Sequence, residues 1–345
     1  MQENPLVSVI IAARNEAGHI RQCLEAVLGQ EGVREEFEVI VADGMSEDGT
    51  REIVEEIARC DGRVRLIDNP QRIVSTGLNE GIRQARGEII ARVDAHTIIA
   101  DDYLARCLET LRRTGADNVG GPWRAAPAQG LCAACIAVAF QHPFAVGGAR
   151  CHELFYLGPV DTVYLGFWPR RVFDEIGMFD EELVRNQDDE FNLRMTRHGM
   201  RIWQSPMIRC SYLARSTLGG LWRQYFQYGF WKIRVMQKHK APASIRHLIP
   251  MLFVFALVAG LPLSFLHSAL AWIYGSVVSL YLLAVTGASV HVALQRGGRM
   301  MLLLPAVFMT YHLAYGLGSL WGAVHFLVLR RSEREAGRRF TGLTR

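Results

Sequence analysis

Carboxylates at three separate places in the chain could do metal and acid–base chemistry. Asp43 opens a glycine-rich turn, Asp94 and His96 are separated by one alanine, and Asp188 lies within the acidic run Gln187–Glu190. A carboxylate beside an imidazole suits Mn²⁺, or Mg²⁺ when water completes the coordination shell. A cation at such a place would neutralise a diphosphate leaving group. A carboxylate crowded by like charges has a raised pKa and can serve as a general base.

Each of these groups also has a structural interpretation that needs no ligand. Ser46 and Asp48 are good N-cap residues, so the turn after Asp43 suits a capping turn as well as a nucleotide site. The Asp-x-His pair is short enough to recur by chance. The acidic run would stabilise the first turn of a helix through the helix dipole. Placement in the fold is what favours the chemical interpretation.

The spacing of apolar residues predicts strand–helix units in the first part of the chain. Runs typical of buried parallel strands cover 7–11, 38–42, 64–67 and 88–93, and each is followed by apolar residues at helical spacing. Repeated units of this size predict a doubly wound α/β sheet, in which ligands bind beyond the carboxyl ends of the strands. Asp43 and Asp94 follow two of these strands, so both are expected at that edge.

The last part of the chain is far more apolar than the first. Uncharged runs cover 247–266, 269–294 and 300–329, and each reaches the roughly 20 residues that a helix needs to cross the hydrocarbon core. Proline and glycine interrupt the last run, so we expect two firm spans and a third hydrophobic segment whose path stays open. The predicted organisation is a domain at 1–240, a membrane region at 241–329 and a basic tail at 330–345.

The segment just before the first apolar run mixes aromatic and basic side chains. Its rings, between 215 and 240, are Trp222, Tyr225, Phe226, Tyr228, Phe230 and Trp231. Such a segment predicts interfacial helices in the headgroup region of a membrane. A buried helix of a soluble domain is the alternative.

Composition limits the compartment and the partners. Met1–Pro5 is polar and the apolar stretch Val7–Ala13 is too short for a signal peptide, so the N-terminal domain is expected to stay in the cytoplasm. Seven cysteines, an odd number without regular spacing, fit a reducing compartment. The net charge of +4 is modest and the sequence has no basic stripe with base-stacking aromatics, so nucleic acid is not an expected partner.

A series of short motifs resembles the large family 2 of inverting glycosyltransferases, which have the GT-A fold. The motifs are the opening strand Val7–Glu16, the turn Asp43–Thr50, Asn79–Gly81, Asp94–His96 and the cluster Gln187–Arg194, in the family's order. The resemblance covers most of residues 5–235. It implies a Rossmann-like GT-A domain, followed here by a C-terminal α-helical transmembrane region. Within the family, the chain most resembles bacterial exopolysaccharide enzymes of the succinoglycan type.

The resemblance implies roles for individual residues. Ala12, Arg14, Glu16 and Asp43 would contact the nucleoside, Arg72 would reach the nucleotide, and Asp94 with His96 would hold the diphosphate and a metal, Mn²⁺ or Mg²⁺. Asp188, with Asp189 as the runner-up, would be the base that deprotonates the acceptor hydroxyl. That hydroxyl would attack the anomeric carbon from the face opposite the leaving group.

A further set of residues is implied on the acceptor and membrane side. The set is Asp161, Gln187, Gln224, Gln227, Tyr228 and Trp231. Processive members of the family carry Q-x-x-R-W on a membrane-proximal helix, and the corresponding stretch Gln224–Tyr228 lacks the Arg-Trp. This difference favours the addition of one sugar over polymerisation.

We therefore expect a membrane-anchored, metal-dependent, inverting glycosyltransferase of exopolysaccharide biosynthesis. It would transfer glucose from a UDP-hexose to a polyprenyl-diphosphate-linked saccharide, at the cytoplasmic face of a bacterial inner membrane that it crosses more than once. Membrane lipids and other polysaccharide-assembly proteins are expected partners.

Two other functions remain open at the level of sequence. One is a polyprenyl-phosphate sugar synthase, which would charge the bare lipid phosphate. The other is a non-catalytic membrane protein that binds nucleotide-sugars. His96 and Gln187 keep this last alternative open, because the family's motifs usually carry aspartate and glutamate at these positions.

Overall fold

The computed structural model describes residues 6–33, 37–126, 129–240 and 244–331. These residues divide into two compact units. The described parts of Met1–Arg124 and Arg150–Leu213 form the first unit, and those of Ala125–Ala149 and Ala214–Ala336 form the second. The described residues of 125–149 and 214–240, which the sequence pattern groups with the N-terminal domain, therefore pack in the second unit.

The strands all belong to the first unit. In chain order they are β1 (Val7–Ala13), β2 (Phe37–Asp43), β3 (Val64–Asp68), β4 (Ile89–Arg92), β5 (Thr97–Ile99), β6 (Asn118–Gly121), β7 (Gly158–Val160), β8 (Tyr164–Pro169), β9 (Ile202–Gln204) and β10 (Cys210–Tyr212).

The helices are shared between the units, with α5, α6 and α9 to α12 in the second. They are α1 (Ile20–Leu28), α2 (Thr50–Cys60), α3 (Val74–Gln84), α4 (Tyr103–Thr114), α5 (Leu131–Phe140), α6 (Pro143–Val146), α7 (Arg171–Ile176), α8 (Gln187–Arg197), α9 (Leu218–His239), α10 (Ile249–Ser264), α11 (Ser268–Arg296) and α12 (Leu304–Ala323).

The main sheet of the first unit is mixed, with the strand order β3-β2-β1-β4-β8-β6-β9-β7. The four strands β3, β2, β1 and β4 are parallel, as the strand–helix repeat predicts. Ala13 pairs with Asp43, so β1 and β2 end level with each other. Every residue of β2 is buried, which explains why its sequence is a nearly continuous apolar run. β8 enters the sheet antiparallel to both β4 and β6.

An aromatic cluster fixes α8 against this sheet. The rings of Phe173, Phe179 and Phe191 lie 4.6 to 6.0 Å apart between centroids, and Trp168 of β8 meets each of them edge-on. Phe191 has no exposed surface. Because Phe191 anchors the first turns of α8, the start of this helix is held in a fixed position.

In the second unit, α9 and α12 pack with their backbones almost in contact. A Cβ atom on Gly318 would lie 2.0 Å from the carbonyl oxygen of Phe226, and one on Gly229 would lie 2.1 Å from the carbonyl oxygen of Tyr315. Only glycine permits this approach, which is typical of helix pairs in membranes. Trp231 and Phe230 of α9 are buried, so part of the predicted interfacial segment is covered by protein.

Among the described residues, two helical segments of the second unit are long and apolar enough to cross a membrane: α10 together with the short 3-10 helix before it, and α11. These segments are Ile245–Ser264 and Ser268–Arg296, and the most apolar stretch of each is mostly exposed. These are the two segments for which firm spans were predicted. Their insertion into a bilayer stays a prediction.

Candidate active site

The carboxyl ends of β1 and β2 carry a hydrogen-bonded turn built around Asp43. The Asp43 side chain is completely buried, and its oxygens accept from the Ser46 hydroxyl at 2.5 Å and the Ser46 N–H at 3.1 Å. The Ser46 hydroxyl in turn accepts from the N–H of Asn15 at 2.9 Å. Asp43 therefore fixes the loops that follow both strands. The residue before α2 is Gly49, and no side-chain cap is formed there, so neither Ser46 nor Asp48 is the N-cap residue of that helix.

The loop after β1 places Glu16 beside His96. The Glu16 N–H donates to the Thr50 hydroxyl at 2.8 Å, which ties this loop to the first residue of α2. The Glu16 carboxylate, which is buried, lies 3.2 Å from Nδ1 of His96. This contact leaves Nε2 as the ring nitrogen of His96 that can meet a ligand.

Arg92, the last residue of β4, joins Asp94 to Asp188. Its Nε donates to Asp94 Oδ1 at 2.7 Å and its NH2 group donates to Asp94 Oδ2 at 3.1 Å, a bidentate pair. Its NH1 group forms an ion pair with Asp188 Oδ2 at 3.9 Å. The structure thus brings together two carboxylates that the sequence separates widely.

The register of α8 directs Asp188 toward this pair. Phe191 and Met195 are buried, and Asp188 lies three residues before Phe191 on the same face of the helix. Asp189 lies one position around the helix, and its N–H donates to Asp188 Oδ1 at 2.9 Å. Glu190 is buried and pairs with Arg194 at 2.9 Å, which gives it a structural role. Asp188 is therefore the carboxylate of this acidic run that the helix register brings to Arg92.

The local environment moves the pKa values of the two carboxyl groups apart. Burial raises the pKa of Asp188 above its ordinary value, with the neighbouring charge of Asp189 adding to the rise and Arg92 opposing it. Burial would also raise the pKa of Asp94, but Arg92 and His96 outweigh it and hold that pKa low. Carboxylates tuned in opposite directions are a common arrangement of base and charge holder.

Aromatic side chains form one wall beside His96. The His96 ring meets Tyr212 edge-on, with 6.1 Å between ring centroids. Tyr164 packs against Tyr212 at 5.8 Å and against Trp123 at 4.6 Å. The Tyr164 phenol also forms a short hydrogen bond with the Thr97 hydroxyl. These contacts hold the His96 ring in place.

The remaining candidates in the first unit lie around the same edge or further along the sheet. Arg72 is exposed in the loop after β3, and that loop is tied to β2 because the Asn69 N–H donates to the Asp43 carbonyl at 2.8 Å. Ala12 packs against the hydrophobic core and is only partly buried. Gln187 is buried next to Asp188.

Arg14 lies at the same sheet edge as Asp43, directly after β1, and its half-buried side chain packs beside Gly44. The other predicted residues are Asp161, which is exposed directly after β7, and a group in the second unit. In α9 the Gln224 amide donates to the Tyr228 hydroxyl at 2.9 Å, and Gln227 and Trp231 are buried. The acceptor-side roles of these residues stay predictions.

The donor set fits a divalent cation that is shared with a phosphate ligand. No group of three or more His, Cys, Asp or Glu side chains placed to hold an ion occurs in the part of the chain that is described. Mg²⁺ and Mn²⁺ at phosphate sites need only one or two protein carboxylates, because substrate oxygens and water complete the shell. Asp94 is partly exposed, at 19% of its side chain, and His96 at 24%, so both can reach such an ion.

Sequence reasoning missed Arg92 and the aromatic wall. Arg92 lies two residues before Asp94, and side chains two apart on a strand point to the same face. That period-two relation is the signal that could have identified it. Nothing local in the sequence relates Tyr164 or Tyr212 to His96.

Comparison with known proteins identifies the family. Residues 8–130 match Glycosyl transferase family 2. Over 322 residues the chain is 30% identical to the succinoglycan biosynthesis protein ExoA of Rhizobium meliloti, which covers 90% of this chain and 92% of that protein. The chain therefore belongs to glycosyltransferase family 2, as its motifs predicted.

The chain is also similar to a transferase that is named for a dolichyl-phosphate-linked sugar and to a solved mannosyltransferase structure. Over 328 residues the chain is 25% identical to a dolichyl N-acetyl-alpha-D-glucosaminyl phosphate 3-beta-D-2,3-diacetamido-2,3-dideoxy-beta-D-glucuronosyltransferase of Methanococcus voltae, covering 92% of this chain and 97% of that one. A mannosyltransferase from Pyrobaculum calidifontis, solved with GDP-Man and Mn²⁺, has a TM-score of 0.59 at 21% identity, covering 93% of this chain and 88% of that one. This similarity confirms a GT-A-like mixed sheet with C-terminal helices.

Proposed function

We propose that this protein is a membrane-anchored, inverting glycosyltransferase that adds one sugar to a polyprenyl-diphosphate-linked saccharide. The observation that carries the proposal is the arrangement of Asp188, Arg92 and Asp94. A partly buried carboxylate with a raised pKa lies 3.9 Å from the guanidinium that holds a second carboxylate. Both carboxylates lie at the edge of the sheet where α/β folds bind their ligands.

In the proposed reaction the acceptor hydroxyl attacks the anomeric carbon of the donor sugar. Asp188 takes the hydroxyl proton as the new C–O bond forms. The bond between the anomeric carbon and the diphosphate oxygen breaks with its electron pair, and the nucleoside diphosphate leaves. Attack from the face opposite the leaving group inverts the anomeric configuration. Arg14, Glu16, Asp43 and Arg72 are the proposed nucleotide-side residues.

We assign a divalent cation to Asp94 and Nε2 of His96. When bound, such an ion neutralises charge on the diphosphate and makes it a better leaving group. The Mn²⁺ in the solved mannosyltransferase complex supports this assignment. Glu16 would orient His96 by accepting from Nδ1–H, as carboxylates behind metal-bound histidines commonly do.

The membrane assignment is supported by the second unit and by the relatives. Ile245–Ser264 and Ser268–Arg296 have the length and hydropathy of membrane spans. Two of the relatives act in succinoglycan biosynthesis and on a dolichyl phosphate-linked sugar, according to their names. A polyprenyl-linked acceptor and an anchored enzyme share one membrane plane, which raises their effective concentration. We place the first unit on the cytoplasmic side of a bacterial inner membrane, where nucleotide-sugars are made.

The proposal is tested with the full chain in bacterial membranes and radiolabelled UDP- and GDP-sugars, each with Mn²⁺ and Mg²⁺ in turn. We expect label from UDP-glucose in a lipid-linked saccharide that mild acid releases as an oligosaccharide one sugar longer. Label on bare polyprenyl phosphate would instead identify a polyprenyl-phosphate sugar synthase. Binding of a nucleotide-sugar without transfer or hydrolysis would identify a non-catalytic binder.

A further inference from the structure

We propose that Arg92 is a positioning residue that holds the donor-side carboxylate Asp94 and the base Asp188 in one fixed arrangement. This inference rests on the proposed function, because it assigns Arg92 a part in the same reaction. Arg92 itself is not placed to take or give a proton in the reaction, since arginine stays charged at any physiological pH.

The guanidinium group has the geometry for this double task. One edge, formed by Nε and NH2, meets both oxygens of Asp94 at 2.7 and 3.1 Å. The remaining nitrogen, NH1, faces Asp188 at 3.9 Å. A planar fork with several N–H donors can hold two carboxylates at a set distance, and the single ammonium of lysine cannot reproduce this.

The backbone around Arg92 is rigid. β4 pairs with β1 on one side, where Arg92 lies opposite Ile10, and with β8 on the other side. Arg92 is 8% exposed, so its side chain has little freedom to move away. A guanidinium fixed in this way also restricts the positions of the two carboxylates that it contacts, Asp94 and Asp188.

The burial of Arg92 also indicates that its charge is balanced by these partners. An isolated buried cation is costly, and it persists in a protein when carboxylates neutralise it. Removing Arg92 would take away the cation that both Asp94 and Asp188 face. The two groups would then repel each other and any incoming diphosphate.

This interpretation predicts a combined effect from one substitution. Asp94→Asn is expected to weaken donor binding, and Asp188→Asn is expected to lower kcat. Arg92→Gln should do both, with kcat lower by about 100-fold, as expected for a misplaced catalytic group. Donor affinity should fall by about tenfold, as is usual when the partner of a ligand-binding carboxylate is lost.

The experiment compares Arg92→Gln, Arg92→Lys and Arg92→Ala with Arg170→Gln in the purified full chain. Arg170 is the matched control, because it is a half-buried arginine directly after β8, beside the start of β4, and its guanidinium donates to the carbonyls of Gly87 and Ala85 at 2.9 and 2.7 Å. The readouts are kcat, the dissociation constant for UDP with Mn²⁺, and the thermal unfolding midpoint.

We expect Arg92→Lys to retain more donor affinity than Arg92→Gln while kcat stays low. Added ethylguanidinium should raise the kcat of Arg92→Ala about tenfold or more, whereas ethylammonium should not, because only the planar cation contacts both carboxylates. The control Arg170→Gln should lose thermal stability with kcat unchanged and should show no rescue.

Two results would overturn the positioning role while leaving the proposed function intact. One is a folded Arg92→Gln protein with wild-type kcat and UDP affinity. The other is a loss of activity in all three Arg92 variants that only tracks their unfolding midpoints and is not rescued by ethylguanidinium. A wild-type protein without turnover on any nucleotide-sugar would overturn both proposals.

Discussion

The main sheet carries a carboxylate paired with arginine at each end of its parallel strands, and the two carboxylates differ in burial and in the number of hydrogen bonds that they accept. At the amino ends of the parallel strands, which we call the amino edge, Glu38 is 2% exposed. It accepts hydrogen bonds from Ser8 at 2.7 Å, from the N–H of Arg86 at 2.7 Å and from the Arg65 guanidinium at 3.0 Å. At the carboxyl edge, Asp94 accepts from Arg92.

This difference separates a structural cluster from one with capacity for a ligand. A carboxylate has about four lone-pair positions, and Glu38 uses its oxygens on protein donors from both sides. Asp94 is held in place by one arginine and keeps part of its surface exposed. The amino edge stabilises the fold, and the carboxyl edge leaves acceptor positions unused and a second carboxylate, Asp188, within reach.

The largest expected contrast comes from Asp188→Asn. Loss of the proposed general base should lower kcat by about 10²- to 10⁴-fold, while the affinity for UDP and the unfolding midpoint stay close to wild type. Turnover and equilibrium nucleotide binding are measured on the same preparation. The exposed Glu175→Gln in α7 is the control and should change neither. A loss of kcat of this size in Asp189→Asn, together with an unchanged kcat in Asp188→Asn, would identify Asp189 as the base.

At the opposite edge, Glu38→Gln should reduce stability and leave the chemistry intact. The substitution leaves the backbone N–H of Arg86 and two guanidinium groups without their charged acceptor, and we expect a loss of about 2 kcal/mol in the free energy of unfolding. The measurement is denaturant unfolding together with kcat of the folded fraction. Glu80→Gln, in a more exposed pair with Arg83, is the control. A fall in kcat without a fall in stability would contradict this assignment.

His96→Ala should weaken Mn²⁺ binding in the presence of UDP by about tenfold, because it removes one of the two proposed protein ligands. The free Mn²⁺ concentration can be followed by electron paramagnetic resonance, which does not depend on turnover. His198→Ala is the control, since His198 is exposed at the end of α8. Unchanged Mn²⁺ affinity in His96→Ala would remove His96 from the metal site.

The smallest expected effect is a separation of activity and stability in mild acid. Burial raises the pKa of Asp188, so Asp188 should take up a proton at a pH above the ordinary aspartate pKa of about 3.9. We therefore expect kcat/KM to fall as the pH is lowered through that raised pKa. Burial alone would raise the pKa of Glu38, but hydrogen bonds from Arg86 and Ser8 hold it below its ordinary value. Glu38 therefore stabilises the fold above about pH 4.3, and this contribution is lost as the pH falls through its lower folded pKa.

The comparison is made by recording kcat/KM and the unfolding midpoint over the same pH series. Activity should be lost first, with the protein still folded and recoverable on return to neutral pH. A simultaneous fall of both quantities would mean that unfolding, and not protonation of Asp188, causes the loss of activity.

The parallel half of the sheet was predictable because its signal is local. Strands predicted at 7–11, 38–42 and 64–67 are found at Val7–Ala13, Phe37–Asp43 and Val64–Asp68, since a strand buried on both faces must be a continuous apolar run. The place of β8 between β4 and β6 was not predictable in this way. Its pairing partners are distant in sequence, and no local period records strand direction.

The site was partly predictable for the same reason. Asp94 and Asp188 stood out as carboxylates next to a strand end and a helix start. Arg92 did not stand out, because the role of a cation inside an apolar run cannot be inferred until its partners are known. The buried state of Asp43 also depends on loops that fold over it, which a sequence pattern does not describe.

The two candidate spans of the second unit have a consequence for how the chain passes through a membrane. Among the described residues, α12 is not one of the two helices with the length and hydropathy of a membrane span, so the residues 300–329 need not form a third crossing. Two crossings are an even number, and an even number returns the polypeptide to the side on which it started. If the two candidate spans insert as proposed, the arginine-rich sequence from Arg330 onward would share the compartment of the N-terminus, in agreement with the preference of basic segments for the cytoplasm.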